Sequence, residues 1–132
     1  MIDRDVNQRE KGCPVIGRLS SVVFDCADPH ALARFYSELL GWPVIRVDGD
    51  WVDIGDGRSR LSFQLAPDHQ PPRWPDPAFP QQVHLDVAVN DVEEAQRRIL
   101  AMGGRLLSTE EPGFRVYADP AGHPFCLEWK QP

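Results

Sequence analysis

"SSVVFDCAD" (20–28) and "VHLDVAVND" (83–91) decide the fold. Each alternates apolar and polar side chains, the pattern of a strand whose two faces meet different surroundings. Each ends at an aspartate, a residue suited to capping the start of a helix. The distance from Ser21 to His84 is 63 residues, and a shift of that length also lays Asp28 on Asp91, Gly41 on Gly104 and Asp56 on Asp119. The chain therefore reads as a twofold repeat.

Outward from those strands the same order of signals recurs. "PHALARFYSELLG" places Leu32, Phe35, Tyr36, Leu39 and Leu40 at helical spacing, with Gly41 as the stop. "VEEAQRRILAMGG" does the same with Val92, Ala95, Ile99, Leu100 and Met102. Three short strands follow each helix, at 43–48, 50–54 and 60–66, then at 105–109, 113–118 and 124–130. Turn signals such as "GDGRS" and "DPAGH" separate them. The expectation is an α+β fold of two β-α-β-β-β modules, 17–66 and 81–132, in one domain spanning 17–132. They join into a curved eight-stranded mixed sheet around a cleft, with the helices outside. Residues 1–16 read as a flexible arm. Six prolines in "PDHQPPRWPDPAFP" (67–80) predict an extended, stiff linker, pinned by Trp74 and Phe79.

Bulk properties exclude several classes. The 132 residues are 42% hydrophobic and 26% charged, ordinary values for one globular domain. A net charge of −6 opposes non-specific binding to nucleic acid. No apolar run is long enough to span a bilayer, and the polar start lacks a signal-peptide core, so a cytoplasmic location is expected. Cys13, Cys26 and Cys126 are odd in number and lack metal-knuckle spacing, which predicts reduced thiols. No P-loop, dinucleotide fingerprint or Ser-His-Asp order is present.

Alternation assigns the candidate site. Ser21, Val23 and Asp25 share the cleft face of the first strand, and His84, Asp86 and Ala88 share that of its repeat. Val83, Leu85, Val87 and Val89 turn to the helices. On the last strand Cys126 shares a face with Pro124 and Glu128. Trp42, Trp51, Phe63, Phe114 and Tyr117 are candidates for aromatic cleft walls, with core packing as the alternative. Asp28 and Asp91 read as caps, Asp119 with Gly122 as a turn, and His123 as part of that turn. Three roles stay open for His84: a pocket hydrogen-bonder, an acid–base catalyst or a metal ligand. Cys126 is either a nucleophile beside an imidazole or a half-buried strand residue. Glu128 is either a cleft acid or a solvated end of the sheet.

The repeat, "PPRWPDPAFPQQVHLDVAVND" (71–91) and "YADPAGHPFCLEW" (117–129) resemble the vicinal oxygen chelate superfamily, in its glyoxalase-like domain branch. That group includes glyoxalase I, bleomycin- and fosfomycin-resistance proteins and extradiol dioxygenases. The resemblance implies a homodimer, and four cleft positions that hold a divalent ion in metal-dependent members. Those positions fall on Ser21, on Phe63 (or Gln64 if the register slips by one), on His84 and on Cys126. Only His84 keeps the usual chemistry, so no metal or other cofactor is expected; a displaced ion site would use His84, Glu128 and Asp86. The pocket is expected to comprise Ser21, Val23, Asp25, Trp51, Phe63, His84, Asp86, Cys126 and Glu128. The leading functional expectation is a small-molecule binder that sequesters or senses its ligand. The alternatives are an enzyme (a lyase, isomerase or thiol transferase using His84, with Cys126 as second candidate) and an interaction module with a vestigial cleft.

Overall fold

A computed structural model describes residues 15–129. Cys13, most of the 1–16 arm and Lys130 lie outside the described residues; Val15 and Ile16, its last two, are exposed. The chain runs β1 (Val22–Cys26), α1 (Pro29–Leu40), β2 (Val44–Asp48), β3 (Trp51–Gly55) and β4 (Arg60–Leu65). It then repeats as β5 (Leu85–Val89), α2 (Val92–Ala101), β6 (Arg105–Ser108), β7 (Phe114–Ala118) and β8 (Pro124–Trp129).

Both helices start as the sequence dictates. The Asp28 carboxylate accepts the Ala31 N–H at 3.1 Å, and Pro29 fills a first-turn position where no donor is needed. The Asp91 carboxylate accepts the Glu94 N–H at 3.0 Å, and Glu93 and Glu94 face the positive end of the α2 dipole. Gly41 ends α1 in the left-handed conformation at φ 71°, where a side chain would be strained.

The strands form two four-stranded mixed sheets, ordered β1-β4-β3-β2 and β5-β8-β7-β6. In each, the first strand lies parallel to the last and the other pairs are antiparallel. The expected α+β modules are present, with their hydrogen-bond ladders divided between two sheets. Edge strands β1 and β5 flank a common pocket where the modules meet.

One face of each sheet carries its helix. Phe24, Cys26, Val52, Ile54, Leu61 and Phe63 do so in the first module, with Leu85, Val87, Tyr117, Phe125 and Leu127 in the second, and all join one core. Fully burying such a side chain stabilises the fold by about 1.5–3 kcal/mol. Helix α1 ties the modules together. The Phe35 and Tyr36 rings lie 5.8 and 6.1 Å from Phe125, and the Tyr36 hydroxyl donates to Asp119 Oδ2 at 2.7 Å. Asp119, in the β7–β8 turn, is 1% exposed and also accepts the N–H groups of Ala121 and His123.

Several expectations need correction here. Phe63 and Tyr117 are not cleft walls; both are wholly buried. Trp42, half-buried, packs against the same core. Val83 is 71% exposed, because β5 begins only at Leu85 and Val83, two residues ahead of it, lies outside the helix-side packing. The linker is not extended throughout: Arg73 N–H to Phe79 O (2.8 Å) closes a loop over 73–79, and the Arg73 guanidinium stacks on Phe79. Trp74 and Phe79 are both half-buried.

Candidate functional site

The strand pairing gives the register that the sequence left open. Val22 pairs with Leu61 in the first module, and Leu85 pairs with Phe125 in the second. First strands are therefore offset by 63 residues and last strands by 64, the interval from Leu61 to Phe125. That one-residue slip turns Phe63 to the helix side, where it stacks on Tyr36. The counterpart of Cys126 is Ser62, a residue the sequence reading passed over. Gln64, the other reading of that strand, does face the cleft side, where its amide donates to Asp25 Oδ1 at 2.8 Å.

In the first module the four-position pattern thus falls on Ser21 and Ser62, whose hydroxyl oxygens lie 2.5 Å apart. The Ser62 hydroxyl donates to Asp53 Oδ1 at 2.5 Å, so the proton between the serines comes from Ser21. The Trp51 indole N–H donates to the same carboxylate oxygen at 2.7 Å. Arg60 and Arg46 approach Asp53 Oδ2 at 3.5 and 3.6 Å. Asp53 is 1% exposed, and this closed set of partners is what a buried carboxylate requires. The sequence carried a signal for it: alternation in "WVDIG" puts Asp53 beside Trp51 on the cleft side.

In the second module the equivalent pair is His84 and Cys126, joined by Asp86. Asp86 stands directly across from Cys126 in the parallel ladder. His84 Nε2 lies 3.2 Å from Asp86 Oδ1. Their ligand atoms and the Cys126 sulfur all fall within 4.8 Å of one another, which makes this the one such group of three among the described residues. Cys126 replaces Glu128 in the expected displaced set, because Glu128 sits two pairs further along, opposite Ala88, and is exposed. Burial, then the Asp86 charge and hydrogen bond, push the Cys126 thiol from 9.0 up to about 11. A thiol held protonated in this way opposes the nucleophilic role expected of it.

The donor chemistry does not fit the family's ion in the first module. Ser21 and Ser62 are neutral alcohols already committed to each other and to Asp53, and an ion there would have to break that set. Val23 and Trp51 take the expected cleft-side places, 40% exposed and half-buried respectively. Phe114 is on the same side as Cys126, opposite Glu128.

Between β1 and β5 lies a pocket of about 410 Å³, lined among others by Val23, Asp25, His69, Gln82, His84 and His123. His123 is more than a turn residue. Its Nδ1 lies 3.0 Å from Asp119 Oδ2 and its Nε2 3.0 Å from the Asp25 carbonyl, so it bridges β8's turn to β1. His69 covers it at 5.1 Å between rings. Both His123 nitrogens are engaged in the fold, which leaves His84 as the more available imidazole.

This duplicated β-α-β-β-β fold is that of the vicinal oxygen chelate group. A glyoxalase-like domain family model matches residues 21–128, and the chain belongs to that family. Similar solved structures include a glyoxalase/bleomycin resistance protein/dioxygenase family enzyme from Burkholderia phytofirmans PsJN. It shares 17% identity over 86% of this chain and 98% of its own, with a TM-score of 0.68. The fosfomycin resistance protein FosX from Listeria monocytogenes shares 17% over 89% and 94%, at 0.66. A glyoxalase-related enzyme from Fulvimarina pelagi shares 21% over 87% and 89%, at 0.65. At these identities the likeness concerns the fold. No curated protein matches.

Proposed function

We propose that the protein binds a small organic molecule on the cleft sides of its sheets, without the family's divalent ion, and sequesters or senses it. The observation that carries this reading is the closed Ser21–Ser62–Asp53–Trp51 set, in which two neutral hydroxyls stand at the first module's ion positions. Such a surface offers an aromatic face and polar edges to an organic ligand. A fosfomycin resistance protein among the structural neighbours supports a resistance-type role. We further propose a homodimer. All five β2 residues are exposed, Val44 and Val47 among them, and a second copy would cover such an apolar edge.

The test is elemental analysis of purified protein with a thermal-shift ligand screen in EDTA. The expected result is a metal content well below one per chain and ligand-induced stabilisation that EDTA leaves intact but Trp51→Ala removes. One tightly held ion per chain, with every ligand shift abolished by EDTA, would overturn the reading.

A second reading is favoured by the His84–Asp86–Cys126 group. An imidazole, a carboxylate and a thiol suit a borderline ion such as Zn²⁺, with a fourth position open to substrate, and His84 would then serve an enzyme. Titration with Co²⁺ separates the two readings: a sulfur-to-cobalt absorption band lost in Cys126→Ser supports the second, and a flat spectrum supports the first.

A further inference from the structure

A second cavity borders the first module's cluster, with which it shares Arg60. About 830 Å³ opens between the segment 15–20, β2 and the β3–β4 hairpin. Arg18, Arg58 and Arg60 line it together with Val15, Leu19 and Ile45, and no carboxylate is among its described lining residues. This is notable in a chain of net charge −6. The acids nearby have other partners. Asp53 is held by Ser62 and Trp51, with two arginines near its second oxygen. Asp56 accepts the backbone N–H groups of Arg58 and Ser59, bonds that hold its carboxyl below the ordinary range and keep it ionised. Asp48 pairs with Arg46.

We propose that this cavity is a binding site for an organic anion, with a carboxylate or phosphate group held by Arg18 and Arg58, beside the Arg60 that also approaches Asp53, and an apolar body against Val15, Leu19 and Ile45. The guanidinium fork suits either anion, since its N–H groups donate in pairs to two oxygens. The apolar walls exclude a bare inorganic ion as the best ligand, because they would stay wet beside it. Leu19 is 83% and Ile45 51% exposed, so a bound hydrocarbon would remove apolar surface from water at both. Ser20, also in the lining, adjoins Ser21, which sets the cavity next to the first module's hydroxyl cluster.

Calorimetric titration of the full chain with octanoate tests this, with octyltrimethylammonium and inorganic phosphate as comparison probes. The expectation is one saturable octanoate site that weakens as salt rises. Octyltrimethylammonium should not bind, and phosphate should bind more weakly than octanoate. Arg18→Ala and Arg58→Ala should each weaken octanoate about tenfold, the loss of one charge-assisted contact. Arg98→Ala removes the same charge on α2, beside Glu38, and should change nothing. Absence of a saturable site would overturn the proposal. So would equal binding of the ammonium probe, or full affinity in an Arg18→Ala/Arg58→Ala chain whose melting is unchanged. The site stands apart from the cleft reading, because neither result bears on the EDTA experiment.

Discussion

Replacing Tyr36 with Phe deletes one oxygen from the interior and leaves the ring packing in place. The hydroxyl donates at 2.7 Å to Asp119, a carboxylate 1% exposed, and so couples α1 of the first module to the β7–β8 turn of the second. A hydrogen bond to a charged group contributes about 1.5–3 kcal/mol. Asp119 would keep the Ala121 and His123 N–H groups and the His123 ring, so the middle of that range, about 2 kcal/mol, is expected. A melting entropy of about 2.1 cal/mol/K per residue converts this to a fall of about 7 °C in Tm for a chain of this length. Asp119→Ala should cost more, about 3–5 kcal/mol, because it strands the phenol and two backbone donors together. Urea denaturation of the two single variants and the double variant gives the coupling directly. A Tyr36→Phe protein within about 0.5 kcal/mol of the parent would refute the view that this bond locks the modules.

Phe63→Ala should cost about 3–5 kcal/mol in the same assay and Val23→Ala, on the other side of the sheet, well under that; equal costs would contradict the register. The Cys126 thiol is raised from 9.0 to about 11, so its linkage runs one way: the stabilisation is complete below pH 9 and is lost as pH climbs to 11. Iodoacetamide labelling of native protein should therefore be slow at pH 8, and Asp86→Asn, which removes the second-largest cause, should speed it; rapid labelling of the parent at pH 7 would count against this. In Gly122→Ala the new Cβ would lie 2.6 Å from Pro71 at a backbone φ of +98°. Limited proteolysis should then cut the 67–80 linker faster, with a stability loss of about 1–3 kcal/mol, and an unaltered digestion pattern would contradict the docking of Pro71 on that turn.

What was legible in the sequence was what local pattern controls. The capping aspartates, Gly41 and the alternation of β1 and β5 each report their own few neighbours, and each was found where expected apart from Val83. The last strand's face was not legible, because an identical shift for all strands assumes no insertion between them, and one added residue flips every side chain from β4 to β8. Phe63 and Ser62 exchanged roles for that reason alone. The Tyr36–Asp119 and His123–Asp25 contacts join residues 83 and 98 positions apart, which no local pattern encodes. Asp119 and His123 looked like turn residues because they are turn residues; their second role comes from the side chains that pack on the turn. Asp53 was not singled out, although alternation in "WVDIG" places it on the cleft side.

The two halves show how one backbone can be given opposite chemistry. Ser21 and Ser62 hold the same register positions as His84 and Cys126, and each pair is joined to one aspartate. The difference lies in where that acid enters. In the first module it comes from β3, as Asp53 behind Ser62; the counterpart in β7 is Val116. In the second it comes from β5, as Asp86 beside His84; the counterpart in β1 is Val23. An acid set behind the pair is buried, and it must draw every donor nearby to itself, so the hydroxyls are spent on structure. An acid set in front is half in water, and it can share its neighbours with a solute or an ion. Asp53 is 1% exposed, whereas the Asp86 side chain is 54% exposed. Of the two acids, Asp86 is therefore the one left open to a partner from solution.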